Sequence, residues 1–262
     1  MIRSPTIIPF VMCGDPDLDS TLGFLMALDK YADVIELGIP FSDPIADGKA
    51  IQKASVRALE SGTRVEDAFD IVSRFRERSD TPVVLMTYYN LIYRMGPRKF
   101  LTKARDAGAS GTIIVDLPLE ESQEYREICK EVGLKAVFLV APNTDLERVR
   151  SIDDASTGFV YLVAHLGTTG ERDIVPKATL NLLKEVKTVC KRPVAVGFGI
   201  STPDHVAQLL DSKADAVVVG SALVSIIEKH GRDAIPYLEE RMLSFKKAVD
   251  KNNREKGRGS QR

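Results

Sequence analysis

Cysteine and histidine are scarce in this chain, with three of each in 262 residues. Cys13, Cys129 and Cys190 are far apart and odd in number. That excludes a disulfide framework, suggests a reducing compartment and makes a cytoplasmic location the expectation. His165, His205 and His230 form no cluster at ligand spacing, so no metal is expected. A charge of one sign is also missing. The formal net charge is −1, which gives no electrostatic reason to expect nucleic acid as a partner. No apolar run approaches the roughly 20 residues that a membrane helix needs. The opening MIRSPTIIPF is too short in its apolar part for a signal peptide, and no membrane association is expected.

The remaining composition is that of an ordinary globular protein, 44% hydrophobic and 28% charged, with enough apolar residues for a sizeable core. Short apolar runs recur: TIIPFVM from Thr6, DVIELG from Asp33, PVVLMT from Pro82 and GTIIV from Gly111. LKAVFLV from Leu134, GFVYLV from Gly158, PVAVG from Pro193 and DAVVVG from Asp215 follow. They are rich in Val and Ile with little polar alternation, the pattern of parallel strands buried on both faces. Amphipathic stretches such as STLGFLMALDKY, EESQEYREICKEVG and LNLLKEVKTVCK lie between them and read as helices. A series of eight βα units at this length predicts an α/β fold, a single-domain (β/α)8 TIM barrel over residues 1–250. The N-terminal lead is short, about five residues before the first strand. The polar, basic KNNREKGRGSQR, residues 251–262, reads as a disordered tail.

Most strand starts fall roughly 22 to 29 residues apart, as a βα repeat requires. Two intervals are longer. One follows the second strand and holds GIPFSDPIADG and an extra helix; the other follows the sixth and holds HLGTTGERDIVPK. Both excesses lie on the C-terminal side of a strand, where barrel active sites sit.

Glu36 interrupts the apolar second strand. Alternation puts Val34 and Glu36 on one face, Ile35 and Leu37 on the other. If Val34 points into the barrel, Glu36 does too, near the top. Such a glutamate is either a structural partner of a buried cation or a proton shuttle whose affinity burial has raised. No basic residue at the top of a neighbouring strand stands out as its partner. Asp47, eleven positions on, is a second candidate carboxylate, with the N-cap of the following helix as the alternative. The seventh strand ends GFGIST and the eighth GSALV. Gly197, Gly199 and Gly220 would let backbone N–H groups approach a phosphate, with Ser221 adding a hydroxyl; tight turns needing positive φ are the other reading. A dinucleotide fingerprint is excluded, because the third glycine of G-x-G-x-x-G is absent.

These segments together resemble the alpha subunit of tryptophan synthase. The resemblance runs from Pro9 to about Lys229. It is carried by PFVMCGDP, ELGIPFSDPIADG, MTYYN, DLPLEES, YLVAHLGTTG, GFGIS and VVVGSAL. It implies a barrel that cleaves indole-3-glycerol phosphate to indole and glyceraldehyde 3-phosphate without a cofactor of its own. It implies a pyridoxal-phosphate-dependent beta subunit as partner, in an α2β2 assembly. By the same resemblance Glu36 is the general acid/base and Asp47 the second catalytic carboxylate. Phe10, Tyr88 and Tyr161 line the substrate pocket, although core packing is an equal reading of Tyr88. Thr169 contacts the Asp47 carboxylate when a lid closes. Gly170, Phe198, Gly199, Gly220 and Ser221 form the phosphate site. Pro40, Phe41, Ser42 and Asp43 face the beta subunit. The chain departs from the family at Lys49, where ADGPT has proline, and at His165, where the second lid carries arginine. A stand-alone indole-releasing lyase, another phosphate-binding barrel such as a sugar-phosphate isomerase, and a non-catalytic activator of the partner are the other readings.

Overall fold

Eight short strands, none longer than seven residues, run parallel and close on themselves. They are β1 (Thr6–Met12), β2 (Ile35–Gly38), β3 (Val83–Thr87), β4 (Gly111–Ile114), β5 (Lys135–Val140), β6 (Val160–Val163), β7 (Val194–Gly197) and β8 (Ala216–Val219). In the computed structural model their order around the barrel is the order of the chain, and β8 pairs with β1 through Ile7 opposite Val217. The structure describes residues 2, 5–163, 174–197 and 199–259.

Helices wrap the outside: α1 (Leu18–Leu28), α2 (Lys49–Glu60), α3 (Val65–Arg76), α4 (Tyr89–Met95), α5 (Pro97–Asp106) and α6 (Gln123–Val132). After these come α7 (Leu146–Ala155), α8 (Lys177–Val189), α9 (Pro203–Asp211), α10 (Ser221–His230) and α11 (Ile235–Gly259). Local chemistry starts and stops several of them. Asp17 accepts the Ser20 N–H at 2.8 Å to cap α1, and Asp145 accepts the Arg148 N–H at 2.8 Å to cap α7. Pro97 and Pro203 occupy first-turn positions, where no amide hydrogen is needed. Gly133, in the left-handed region, ends α6.

Strand alternation divides the core into two shells. Ile8, Val34, Val84, Val137, Phe159 and Val218 point inward and fill the barrel, with Ile2 packed against them. Ile7, Val11, Ile35, Leu37, Val83 and Leu85 point outward beneath the helices. Each large aliphatic or aromatic side chain so buried contributes about 1.5–3 kcal/mol. Both faces of the strands are thus largely apolar, which is why most strand sequences read as Val- and Ile-rich runs.

The barrel and the extra helix after β2 agree with the sequence expectation. At the C-terminus α11 runs to Gly259. Leu238, Met242, Phe245 and Val249 form its buried stripe, and Asn252 continues that stripe at 4% exposure. The Asn252 amide donates to Asp211 on α9.

Candidate active site

Strand β2 positions Glu36 by simple alternation. Val34 belongs to the inner shell, so Glu36, two residues on, also faces the barrel interior. It sits level with Phe10 of β1 and Val84 of β3. Its side chain is 1% exposed, and neither carboxyl oxygen has a hydrogen-bond partner among the described residues. Among the described residues no buried cation is paired with it, which gives the structural-partner reading no support there. Burial first, and the charge of Asp47 second, push its pKa up to about 8.

Asp47 ends the loop between β2 and α2. It does not cap the helix. Gly48 is the N-cap of α2, and no side chain makes a capping bond there. Instead the Asp47 carboxylate turns away and accepts the Tyr88 hydroxyl at 3.0 Å. Burial raises its pKa to about 6, against the lowering effect of that bond. The site therefore holds Asp47 ionised and Glu36 protonated between about pH 6 and about 8.

The loop is fastened to α2 at both ends. Ser55 is buried; its hydroxyl accepts the Phe41 N–H at 2.8 Å and donates to the Phe41 carbonyl at 2.9 Å. The Gln52 amide donates to the Asp47 carbonyl at 2.9 Å. Ser42 and Asp43 lie exposed at the outer bend, and Ile45 is 87% exposed beside them.

Two cavities open at the C-terminal mouth. A small one, about 50 Å³, is lined by Glu36, Asp47, Phe10, Gly199, Gly220 and Ser221 among others. A larger one of about 580 Å³ spreads over the ends of β3 to β6, past Ile113, Leu117, Phe138 and Asn143. Asp47, Met86 and Tyr161 line both, so the two meet at Asp47, while Glu36 lines the small one alone. The small cavity is edged by glycine and serine backbone, and the large one is mainly apolar.

Two glycines are required by this arrangement. A Cβ on Gly197 would sit 2.2 Å from the Tyr161 hydroxyl, so the tyrosine reaches the site only across a bare backbone. Gly199 has φ +73°, a left-handed conformation that favours glycine. The turn reading therefore holds for Gly199, and the residue also lines the small cavity. Gly220 has φ −110° and is not held by conformation, and Ser221 opens α10 beside it.

The structure thus brings together Phe10, Glu36, Asp47, Tyr161, Gly199, Gly220 and Ser221. Tyr88 lies just outside: it is 4% exposed, lines neither cavity, and touches Asp47 instead. Thr169, Gly170 and Phe198, with His165 of the second long loop, lie outside the described residues. Sequence reasoning missed Met86 and Ile51 in the pocket wall and Arg148 at the rim of the larger cavity. Met86 follows from alternation, two residues beyond inward Val84. Arg148, held by Glu120 at 2.5 and 3.0 Å, carries no local signal.

A closed parallel barrel with two buried carboxylates of unequal proton affinity at its C-terminal mouth defines an enzyme of the (β/α)8 class acting on a small molecule. A family model described as tryptophan synthase alpha chain matches residues 3–253, and the chain belongs to that family. The tryptophan synthase alpha chain of Pyrococcus furiosus is 54% identical over 242 residues, covering 92% of this chain and 98% of the relative. That of Methanococcus maripaludis is 48% identical over 252 residues, covering 95% and 97%. Among solved structures, the α2β2 tryptophan synthase complex of Pyrococcus furiosus superposes with a TM-score of 0.91 at 53% identity, covering 94% of this chain and 99% of that one.

Proposed function

We propose that this chain is the lyase subunit of a tryptophan synthase, cleaving indole-3-glycerol phosphate to indole and glyceraldehyde 3-phosphate. The observation that carries this reading is the carboxylate pair: Glu36 protonated and Asp47 ionised near neutral pH, in a cavity that continues to Gly199, Gly220 and Ser221. Retro-aldol cleavage needs a proton delivered to C3 of the indole ring. The protonated Glu36 carboxyl donates it, and the ring becomes an indolenine with positive charge toward nitrogen. Asp47 accepts the ring N–H and stabilises that charge. Glu36, now a carboxylate, takes the proton of the hydroxyl on C3′. The C3–C3′ bond breaks, its electrons return to the indole ring, and the carbon bearing the oxygen leaves as an aldehyde. Two carboxylates held in different protonation states perform both transfers.

The other roles follow from placement. The apolar walls at Phe10, Met86 and Tyr161 suit the indole ring. The backbone at Gly199 and Gly220 with the Ser221 hydroxyl suits the phosphate. Gly170, Phe198 and Thr169 are kept as family-implied members of the same site. Pro40, Phe41, Ser42 and Asp43 form the surface for a beta subunit, in an α2β2 assembly like that of Pyrococcus furiosus. Among the described residues no helix is long and apolar enough to cross a membrane, and Cys13, Cys129 and Cys190 are free thiols. A cytoplasmic location accords with both.

The test is product analysis on the purified chain given indole-3-glycerol phosphate, with and without a tryptophan synthase beta subunit. Indole and glyceraldehyde 3-phosphate should appear in equal amounts. Glu36→Gln keeps the shape but cannot shuttle a proton, so it should abolish indole release while phosphorylated indole analogues still bind. Retention of even about a tenth of wild-type turnover would remove Glu36 from the acid/base role.

A further inference from the structure

Tyr88 joins two parts of the loop between β2 and α2 that the chain itself keeps six residues apart. Its ring stacks on Phe41, with centroids 4.8 Å apart and planes at 26°. Its hydroxyl donates to Asp47 Oδ2 at 3.0 Å and accepts the Ala46 N–H at 3.0 Å. We propose that Tyr88 is a positioning residue for Asp47: the Phe41 ring sets where the tyrosine lies, and the tyrosine hydroxyl sets where the carboxylate points. This rests on the role given to Asp47 above.

The hydrogen-bond inventory fixes the direction of the contact. A phenol has one proton. The Ala46 N–H occupies an oxygen lone pair, so the proton is free for Asp47. A bond of that polarity favours the carboxylate over the carboxylic acid, and it engages Oδ2, leaving Oδ1 for the substrate N–H. The tyrosine therefore does two things at once: it orients Asp47 and helps keep it ionised where burial would protonate it.

The supports come from separate elements. Tyr88 stands at the end of β3 and is the N-cap of α4. Phe41 is held to Ser55 of α2 by both of its backbone groups. Ala46 and Asp47 belong to the far end of the loop. Neither Phe41 nor Tyr88 lines the two cavities among the described residues, so both act through Asp47 rather than on substrate. Phe41 is partly exposed next to Ser42 and Asp43 at the outer bend. A partner pressing on that bend moves a ring that is one contact from the tyrosine and two from the carboxylate.

Tyr88→Phe and Phe41→Leu in the full chain test this, assayed alone and with a beta subunit, beside Asp47→Asn. Tyr88→Phe keeps the ring stack and removes only the hydroxyl. It should lower kcat by about tenfold, with KM little changed, as for loss of one contact that strengthens in the transition state. The acid limb of its kcat/KM profile should move upward by about one pH unit, because Asp47 has lost a donor. Phe41→Leu keeps the hydroxyl, so its acid limb should move less, and its main effect should be a smaller stimulation by the beta subunit. Melting curves should stay near wild type for both. An unmoved acid limb in Tyr88→Phe, or a rate loss that is uniform in pH and tracks a lowered Tm, would overturn the positioning role. Unaltered stimulation in Phe41→Leu would overturn the ring's part in it. Full activity in Asp47→Asn would instead overturn the assignment on which the inference stands. An inactive Asp47→Asn beside a wild-type-like Tyr88→Phe would sink the inference alone.

Discussion

Glu36 and Asp47 are the same kind of acid placed in two environments, and under the proposed mechanism the difference between those environments is the chemistry. Glu36 has lost water and gained no donor among the described residues, so its proton stays on up to about pH 8. Asp47 is less deeply buried and keeps the Tyr88 hydroxyl, so it ionises near pH 6. The free enzyme should accordingly show a bell-shaped kcat/KM profile, with an acid limb near 6 from Asp47 and a basic limb near 8 from Glu36. Asp47→Asn carries no charge to balance the indolenine, and its kcat should fall by about 10²–10³. It should also lose the acid limb. The basic limb should survive at lower pH, since the Asp47 charge helps raise the Glu36 pKa. A pH–rate series on the wild type and this variant checks both points. An unchanged kcat would take Asp47 out of the chemistry altogether.

At the scale of elements, the proposed site depends on how α2 is seated, because Asp47 precedes the Gly48 N-cap of that helix. Its amphipathic face puts Ala54, Ser55 and Ala58 against the barrel. Arg57 on the same helix reaches across to Asp15 in the turn after β1, with Nε–Oδ1 at 2.8 Å and Nη2–Oδ2 at 2.7 Å. The Asp15 side chain is 1% exposed, while that of Arg57 is 27% exposed. A bidentate pair of that geometry, with the acid fully buried, makes the two partners unequal. Arg57→Ala leaves a buried carboxylate without its cation and should cost about 3 kcal/mol, or about 6–12 °C in Tm. Under the proposed role of Asp47 it should also lower kcat, because the helix that follows the Asp47 loop is freed. Thermal melts and turnover on the single variant, and on Arg57→Ala with Asp15→Ala, check this. The double variant should recover part of the lost stability, because no unpaired charge remains. A double variant as unstable as the single would show that packing by the Arg57 stem, and not the ion pair, seats the helix.

At the scale of the whole molecule, the barrel was legible in the sequence because every strand is buried on both faces, and the inward direction of Glu36 followed from its distance to Val34. What stayed hidden depends on contacts between distant positions. The Tyr88 hydroxyl meets Asp47 across 41 residues, and Asn252 reaches Asp211 from a stretch whose composition is that of a solvated tail. Asp47 before a glycine has the local look of a helix cap, and only the tertiary partner decides against it. The same burial that the proposed mechanism uses should weaken the fold. Glu36 takes up its proton near pH 8 in the folded chain, against an ordinary carboxyl value of 4.5. Between those values the folded state holds a proton that the unfolded state has released. Fewer protons bound in the unfolded state means stability falls as pH rises, fastest from about 4.5 to about 8, and levels off above. Asp47, raised to about 6, adds a fall of the same sign over a narrower window. The combined loss should be on the order of a few kcal/mol, a large share of the 5–15 kcal/mol typical of a domain. Glu36→Gln removes the larger contribution. That variant should be inactive yet more stable than wild type at pH 8.5, with the difference shrinking toward pH 5. Denaturant unfolding of both proteins at the two pH values measures it. Parallel stability curves would show that water reaches Glu36 in the folded chain, and would take away the burial on which its acid role depends.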